Sequence, residues 1–134
     1  MTTETEKARE VFGGDRYARL TGIEISAVGD HEAVCSLRLT ENHLNARDTA
    51  MGGVLFTLAD FCAAVAANSA DPAGLHWVSL DSSIHFLAPA TGTGLTACCN
   101  ALKQGRTTAL YQTTIKNSAN GKTVAIAETT MMHV

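Results

Sequence analysis

Residues 51–60 read MGGVLFTLAD. Two glycines open an apolar run, and Asp60 stands inside it among Leu55, Phe56, Leu58, Phe61 and Val65. A carboxylate in such company is costly unless something pairs with it. Gly52 and Gly53 suit the first turn of a helix, where N–H groups lack internal partners and carry the positive end of the dipole. Glycine lets a ligand approach that backbone closely. The pair could therefore polarise a carbonyl and stabilise the oxyanion formed when it is attacked. Asp60 is the carboxylate such chemistry needs, as general base or as nucleophile. Each feature also has a structural reading. The glycines could form a tight turn where loop meets helix, and Asp60 could be satisfied by Thr57 or by a partner chain.

Gly52 and Asp60 are eight residues apart, about 12 Å along one helix. They cannot touch one carbonyl within one chain. Two copies packed antiparallel about a two-fold near residue 56 would bring Asp60 of one beside Gly52 of the other and create two equal sites.

The elements that must position these groups can be read along the chain. Thr3 caps a short helix over 3–12, stopped by Gly13-Gly14, and a further turn follows over 16–20. Strands are expected over 21–28 and 32–40, joined at Gly29-Asp30. A polar loop, ENHLNARDTA, leads to a helix from about 52 to 69, ended by Asn68-Ser69 and Asp71-Pro72. Four strands follow, over 76–88, 93–103, 107–117 and 123–133, with turns at Gln104-Gly105 and Asn120-Gly121. The result is an α+β chain, one domain over residues 1–134, with an antiparallel six-stranded sheet around one long helix. That helix is apolar nearly all round, so it must be buried on every side. The sheet covers one side, and a second subunit is the natural cover for the other.

Apolar residues are 46% of the 134, charged residues 17%, and the net charge is -3. These values suit a packed core and offer no basic stripe for nucleic acid or an anionic membrane. The apolar run over 53–67 is too short to span a bilayer. Cys35, Cys62, Cys98 and Cys99 lack metal spacing and read as reduced, packed thiols, with Cys98 and Cys99 on opposite faces of a strand. They fit a reducing cytoplasm, as does a polar N-terminus without a signal-peptide pattern. No metal or separate cofactor is expected.

The stretch HLNARDTAMGGVLFTLADFCAAVAANS resembles the active-site segment of hotdog-fold acyl-CoA thioesterases, closest to the phenylacetate-pathway and hydroxybenzoyl-CoA thioesterase branch. Asn45, Thr49, Ala50, Gly52, Gly53 and Asp60 fall at that family's spacing. IHFLAPA, the GRT at 105–107 and NGKTVAIAETT extend the likeness over nearly the whole chain. The resemblance implies a hotdog fold that is at least a homodimer and often a tetramer. It implies an acyl-CoA substrate, split to a free acid and CoA, with coenzyme A present only as part of the substrate. It assigns carbonyl polarisation to Gly52, helped by Gly53. Attack or water activation falls to Asp60 from the facing subunit, and Asn45 holds the nucleophile or water. It places CoA phosphates at Gly105, Arg106 and Thr107, and puts Ser83, with Ser82, beside the pantetheine tunnel. His85 and Phe61 join the acyl pocket, for a small aromatic or medium-chain group. Two residues depart from the pattern. Met51 stands where the family has His, and Ala64 where some relatives have Ser or Thr. Both favour an alternative, a non-catalytic acyl-CoA-binding hotdog protein. A dehydratase or hydratase ranks last, because no His occupies a matching place.

Overall fold

The computed structural model describes residues 3–134. It begins with α1 (Glu4–Phe12) and α2 (Arg16–Thr21). Thr3 and Glu6 form a reciprocal capping box on α1, and the Asp15 side chain accepts the Ala18 N–H at the start of α2. Gly22, at φ +96°, ends α2 in the left-handed conformation that favours glycine. Next come β1 (Ile23–Gly29) and β2 (Glu32–Arg38), a 3-10 turn over Glu41–His43, and α3 (Gly52–Ala67). The chain closes with β3 (Trp77–Phe86), β4 (Gly94–Gln104), β5 (Thr108–Asn117) and β6 (Thr123–His133).

All pairings are antiparallel, in the order β1-β2-β4-β5-β6-β3. The expected six strands and long helix are present, with boundaries shifted by one or two residues. The helix ends at Ala67 rather than at Ser69. Asn68 explains the stop: its Nδ2 donates to Ala64 O (2.9 Å) and Trp77 O (3.0 Å), and its Oδ1 accepts from Trp77 N (3.0 Å). One amide thus closes α3 and fixes the start of β3.

α3 lies in the curl of the sheet. Leu55, Leu58, Ala59, Cys62, Ala63, Val65 and Ala66 are buried against it. The alanines let the strands come close, and dispersion contacts accumulate over the whole length. The opposite face carries Gly53, Phe56, Thr57, Asp60 and Ala64 and is open to different degrees, with Phe56 37% exposed. Burial on every side is therefore met only on the sheet side within one chain. β3 is an edge strand, paired to β6 alone, and most of its residues are exposed. Cys98 is exposed and Cys99 buried, as expected of strand neighbours.

Candidate functional site

Met51 is the N-cap of α3, and its side chain makes no capping hydrogen bond. Its carbonyl receives the first helical donors, Val54 N (2.9 Å) and Leu55 N (3.3 Å). The N–H groups of Gly52 and Gly53 precede that ladder and stand at the positive end of the helix. The two glycines differ. A Cβ on Gly52 would meet the Phe86 ring at 3.0 Å, whereas one on Gly53 would meet nothing within 4 Å. Gly52 is thus small because an aromatic ring crosses it, and Gly53 faces open space.

The loop before α3 is held by its own side chains. Asn45 Oδ1 accepts from Arg47 N (2.8 Å) and Thr49 N (3.3 Å), and its Nδ2 donates to Thr49 Oγ1 (3.0 Å). Within one chain, Asn45 shapes the loop rather than reaching towards Asp60. His43 is a second strut. Thr40 N donates to its Nδ1 at 2.9 Å, so the neutral ring carries its proton on Nε2 and donates to Thr21 O at 2.7 Å. The His43 carbonyl accepts Met51 N at 2.9 Å, which links α2 to the N-cap of α3. Asn45, Arg47, Thr49, Gly52, Leu55 and Phe86 line a groove of about 430 Å³ at this end of α3.

Asp60 is half-buried on the open face of α3. Its partner is neither Thr57 nor a residue of its own helix. Thr57 Oγ1 donates to Gly53 O (2.8 Å), while Ser79 Oγ donates to Asp60 Oδ1 at 2.8 Å. Ser79 was not singled out in the sequence. A bulge in β3 between Ser79 and Asp81 inserts Leu80, so that both Ser79 and Ser82 turn towards α3. Ser82 meets Thr129 Oγ1 at 2.5 Å. The only signal available in the sequence was the serine-rich run VSLDSS.

The other expected residues divide. Ala64 shares the open face with Asp60, one turn on, and Met51 is 58% exposed beside the groove. Phe61 turns the other way. It packs edge-to-face on Phe12 at 5.6 Å and lines a separate pocket under α1. Ser83 and His85 pair with Glu128 and Ile126, whose sequence neighbours Ala127, Thr129 and Ala125 are buried. They therefore lie on the sheet face away from α3, a correction to their expected place at the tunnel and acyl pocket.

Gly105, Arg106 and Thr107 form the β4–β5 turn. A side chain on Gly105 would run into the Thr108 carbonyl, so the turn itself requires glycine there. Thr107 O accepts His133 N, and His133 pairs with Trp77, which Asn68 ties to the end of α3. Arg106 is exposed and lies at the end of α3 opposite Gly52. One chain does not bring Arg106 and the Gly52 groove together.

A long helix in the curl of a six-stranded antiparallel sheet, with Gly-Gly at its start and an acid on its open face, defines a hotdog-fold protein. Residues 48–132 match the thioesterase superfamily, and the chain belongs to that family. It is 31% identical over 131 residues to acyl-coenzyme A thioesterase 13 of Homo sapiens, covering 93% of each chain. It is 35% identical over 122 residues to acyl-coenzyme A thioesterase PaaI of Escherichia coli, covering 90% of this chain and 84% of that one. The solved structure of E. coli PaaI, from the phenylacetic acid degradation operon, superposes with a TM-score of 0.86, at 29% identity and covering 98% and 96% of the two chains. A hypothetical thioesterase of Streptococcus pneumoniae, solved with coenzyme A, superposes with a TM-score of 0.81, at 30% identity and covering 94% and 96%.

Proposed function

We propose that this chain is an acyl-CoA thioesterase that hydrolyses a small aromatic or medium-chain acyl-CoA to the free acid and CoA, in a site built from two copies. The observation that carries the reading is the Asp60 carboxylate, held by Ser79 at 2.8 Å on the uncovered face of the helix whose first turn offers the Gly52 N–H. The thioester carbonyl accepts from Gly52, with Gly53 beside it. Asp60 of the facing subunit attacks the carbonyl carbon or takes a proton from the water that does. Ser79 occupies one carboxylate oxygen and leaves Oδ2 for the reaction. The C–S bond breaks as the carbonyl re-forms, and the thiolate leaves and is protonated to CoA; where Asp60 itself attacks, water then hydrolyses the acyl–Asp60 anhydride to the free acid and restores the carboxylate.

The dimer needs the two-fold near residue 56. It covers Phe56 and the open face of α3, and it carries Arg106 of one chain towards the groove at the partner's Gly52. There Arg106 and Thr107 would meet the CoA phosphates. A pair of such dimers as a tetramer, working in the cytoplasm, belongs to the same reading.

Thiol release from a panel of aromatic and aliphatic acyl-CoAs, by wild type and Asp60→Ala side by side, tests this. Turnover that collapses in Asp60→Ala supports the reading. A second reading, acyl-CoA binding without hydrolysis, is favoured by Met51 and Ala64, which offer no hydrogen bond to water or leaving group. Tight CoA-thioester binding with no thiol released by wild type would establish it.

A further inference from the structure

One feature this mechanism leaves unused is the pocket between α1, α2, β1 and Phe61, of about 330 Å³. Its floor is apolar: Phe12, Ala18, Ile23, Ile25 and Phe61. Two guanidinium groups border it, those of Arg9 and Arg19, against one carboxylate, that of Glu24. Arg9 is held in place, with Nε donating to Ile25 O at 2.9 Å and an Nη2 contact to Ser26 O at 3.5 Å. Arg19 makes only a long contact, Nη1 to Gly13 O at 3.5 Å. Among the described residues, neither has a carboxylate within ion-pair distance. An apolar slot bordered by two cations and one carboxylate, neither cation ion-paired, keeps a net positive charge and suits an amphipathic anion. Its volume lies at the small end of ligand pockets.

We propose that this pocket binds a free medium-chain carboxylic acid, its alkyl tail on Ile23, Ile25 and Phe61 and its carboxylate between Arg9 and Arg19. The tail gains from leaving water, and the head gains charge-assisted hydrogen bonds from the guanidinium donors of Arg9 and Arg19 that the backbone carbonyls leave free. The site is distinct from the Gly52 groove, because the two share no lining residue. It stands whether or not the chain hydrolyses thioesters.

The test is a titration of the full chain with octanoate, followed by methyl NMR, with octylamine as the control of equal tail and opposite charge. Octanoate should shift the Ile23 and Ile25 methyls saturably whatever it does at Leu55, in the other groove, where the proposed reaction releases such an acid. Octylamine should not bind. Arg19→Gln, an exposed change, should weaken octanoate about tenfold, the loss of one charge-assisted contact. Ala18→Trp, which fills the slot, should abolish binding. Equal binding of octylamine, shifts confined to Leu55, no effect of Arg19→Gln, or no saturable shift would each overturn the proposal. So would an Ala18→Trp chain that changes its oligomeric state while octanoate binding persists, for the slot would then be a subunit contact. Thiol release by Arg19→Gln, measured alongside, keeps this result separate from the thioesterase reading.

Discussion

If the acid of one subunit serves the oxyanion site of the other, two inactive variants should repair each other. The variants can be chosen from the backbone. Gly52→Pro removes the N–H proposed to hold the thioester oxygen, at the first helical residue, where proline is tolerated. Met51, at φ -65° and ψ 143°, already has the extended conformation a residue before proline requires. The cost is at Phe86, whose ring would face the new Cβ at 3.0 Å, but Phe86 is 55% exposed and can swing aside. Loss of one oxyanion donor lowers kcat by about 10²–10³. Asp60→Ala removes the reacting carboxylate. In a mixed dimer of the two chains, one site carries both defects and the other carries neither. Random exchange makes about half the dimers mixed, each with one of its two sites intact, so the mixture should show about a quarter of wild-type activity. The assay is thiol release after co-expression of differently tagged chains; mixed dimers isolated from that mixture by tandem affinity should show about half of wild-type activity. A mixture that stays at the floor of its parents would refute the two-subunit site. Full activity of Gly52→Pro alone would remove the Gly52 N–H from the mechanism.

Three further outcomes follow from the same structure. Ser79→Ala should lower kcat roughly tenfold with little change in KM, since a hydrogen bond to a charged group is worth about 1.5 kcal/mol at its lower end and this pair faces solvent in one chain; a raised KM with unchanged kcat would count against a positioning role. Iodoacetamide should label one thiol of the native chain, the exposed Cys98, and all four after denaturation, read by intact mass, because Cys35, Cys62 and Cys99 are at most 2% exposed. Burial pushes Cys99 from 9.0 up to about 12, and the hydrogen bond the Cys62 thiol makes to Cys35, with burial, raises Cys62 well above its ordinary value. The unfolded thiol ionises first, so the folded state holds more protons above its ordinary range. Stability to urea should be complete below about pH 8.5 and fall as pH rises towards 12, by about 1.4 kcal/mol per unit for each thiol; Cys99→Ala should remove one such increment, and an unchanged slope would contradict the assignment.

What the sequence discloses follows how local each signal is. Gly52, Gly53 and Asp60 lie on one helix whose extent its glycines and apolar run disclose, but a helix apolar nearly all round does not show by its period which face stays open. Cys98 and Cys99 do resolve, by the period of a strand. Ser79 does not, because its direction depends on an extra residue in β3 that only pairing with β6 defines. Simple alternation would send Ser79 and Ser82 to opposite faces; the bulge turns both inward. The resemblance alone places Ser83 and His85 at the site, whereas the regular alternation from Ser82 to Phe86 puts them on the outer face. Asn45 shows another limit. Its type suits a contact with water or substrate, but an Asn two residues before a backbone N–H can close on its own loop, as it does here on Arg47 and Thr49.

Placing both reactive groups on α3 constrains how two chains can meet. In the proposed two-fold arrangement the gap between Asp60 and the partner's Gly52 is set by where the helices cross, not by a loop that could adjust. Sliding the crossing point by one residue moves the partner helix by about 3 Å, twice the rise per residue, enough to separate base from carbonyl. The open face of α3 is suited to resist that slip. In that arrangement Phe56 would lie at the axis and meet its own copy, while Gly53, Thr57 and Ala64, on the same open face, would be small enough to let the helices approach. A larger residue at Gly53 would hold the helices apart, although nothing within its own chain opposes one. The second glycine is thus best explained by a neighbour outside the chain, the partner helix or the thioester, and the groove needs both close to it.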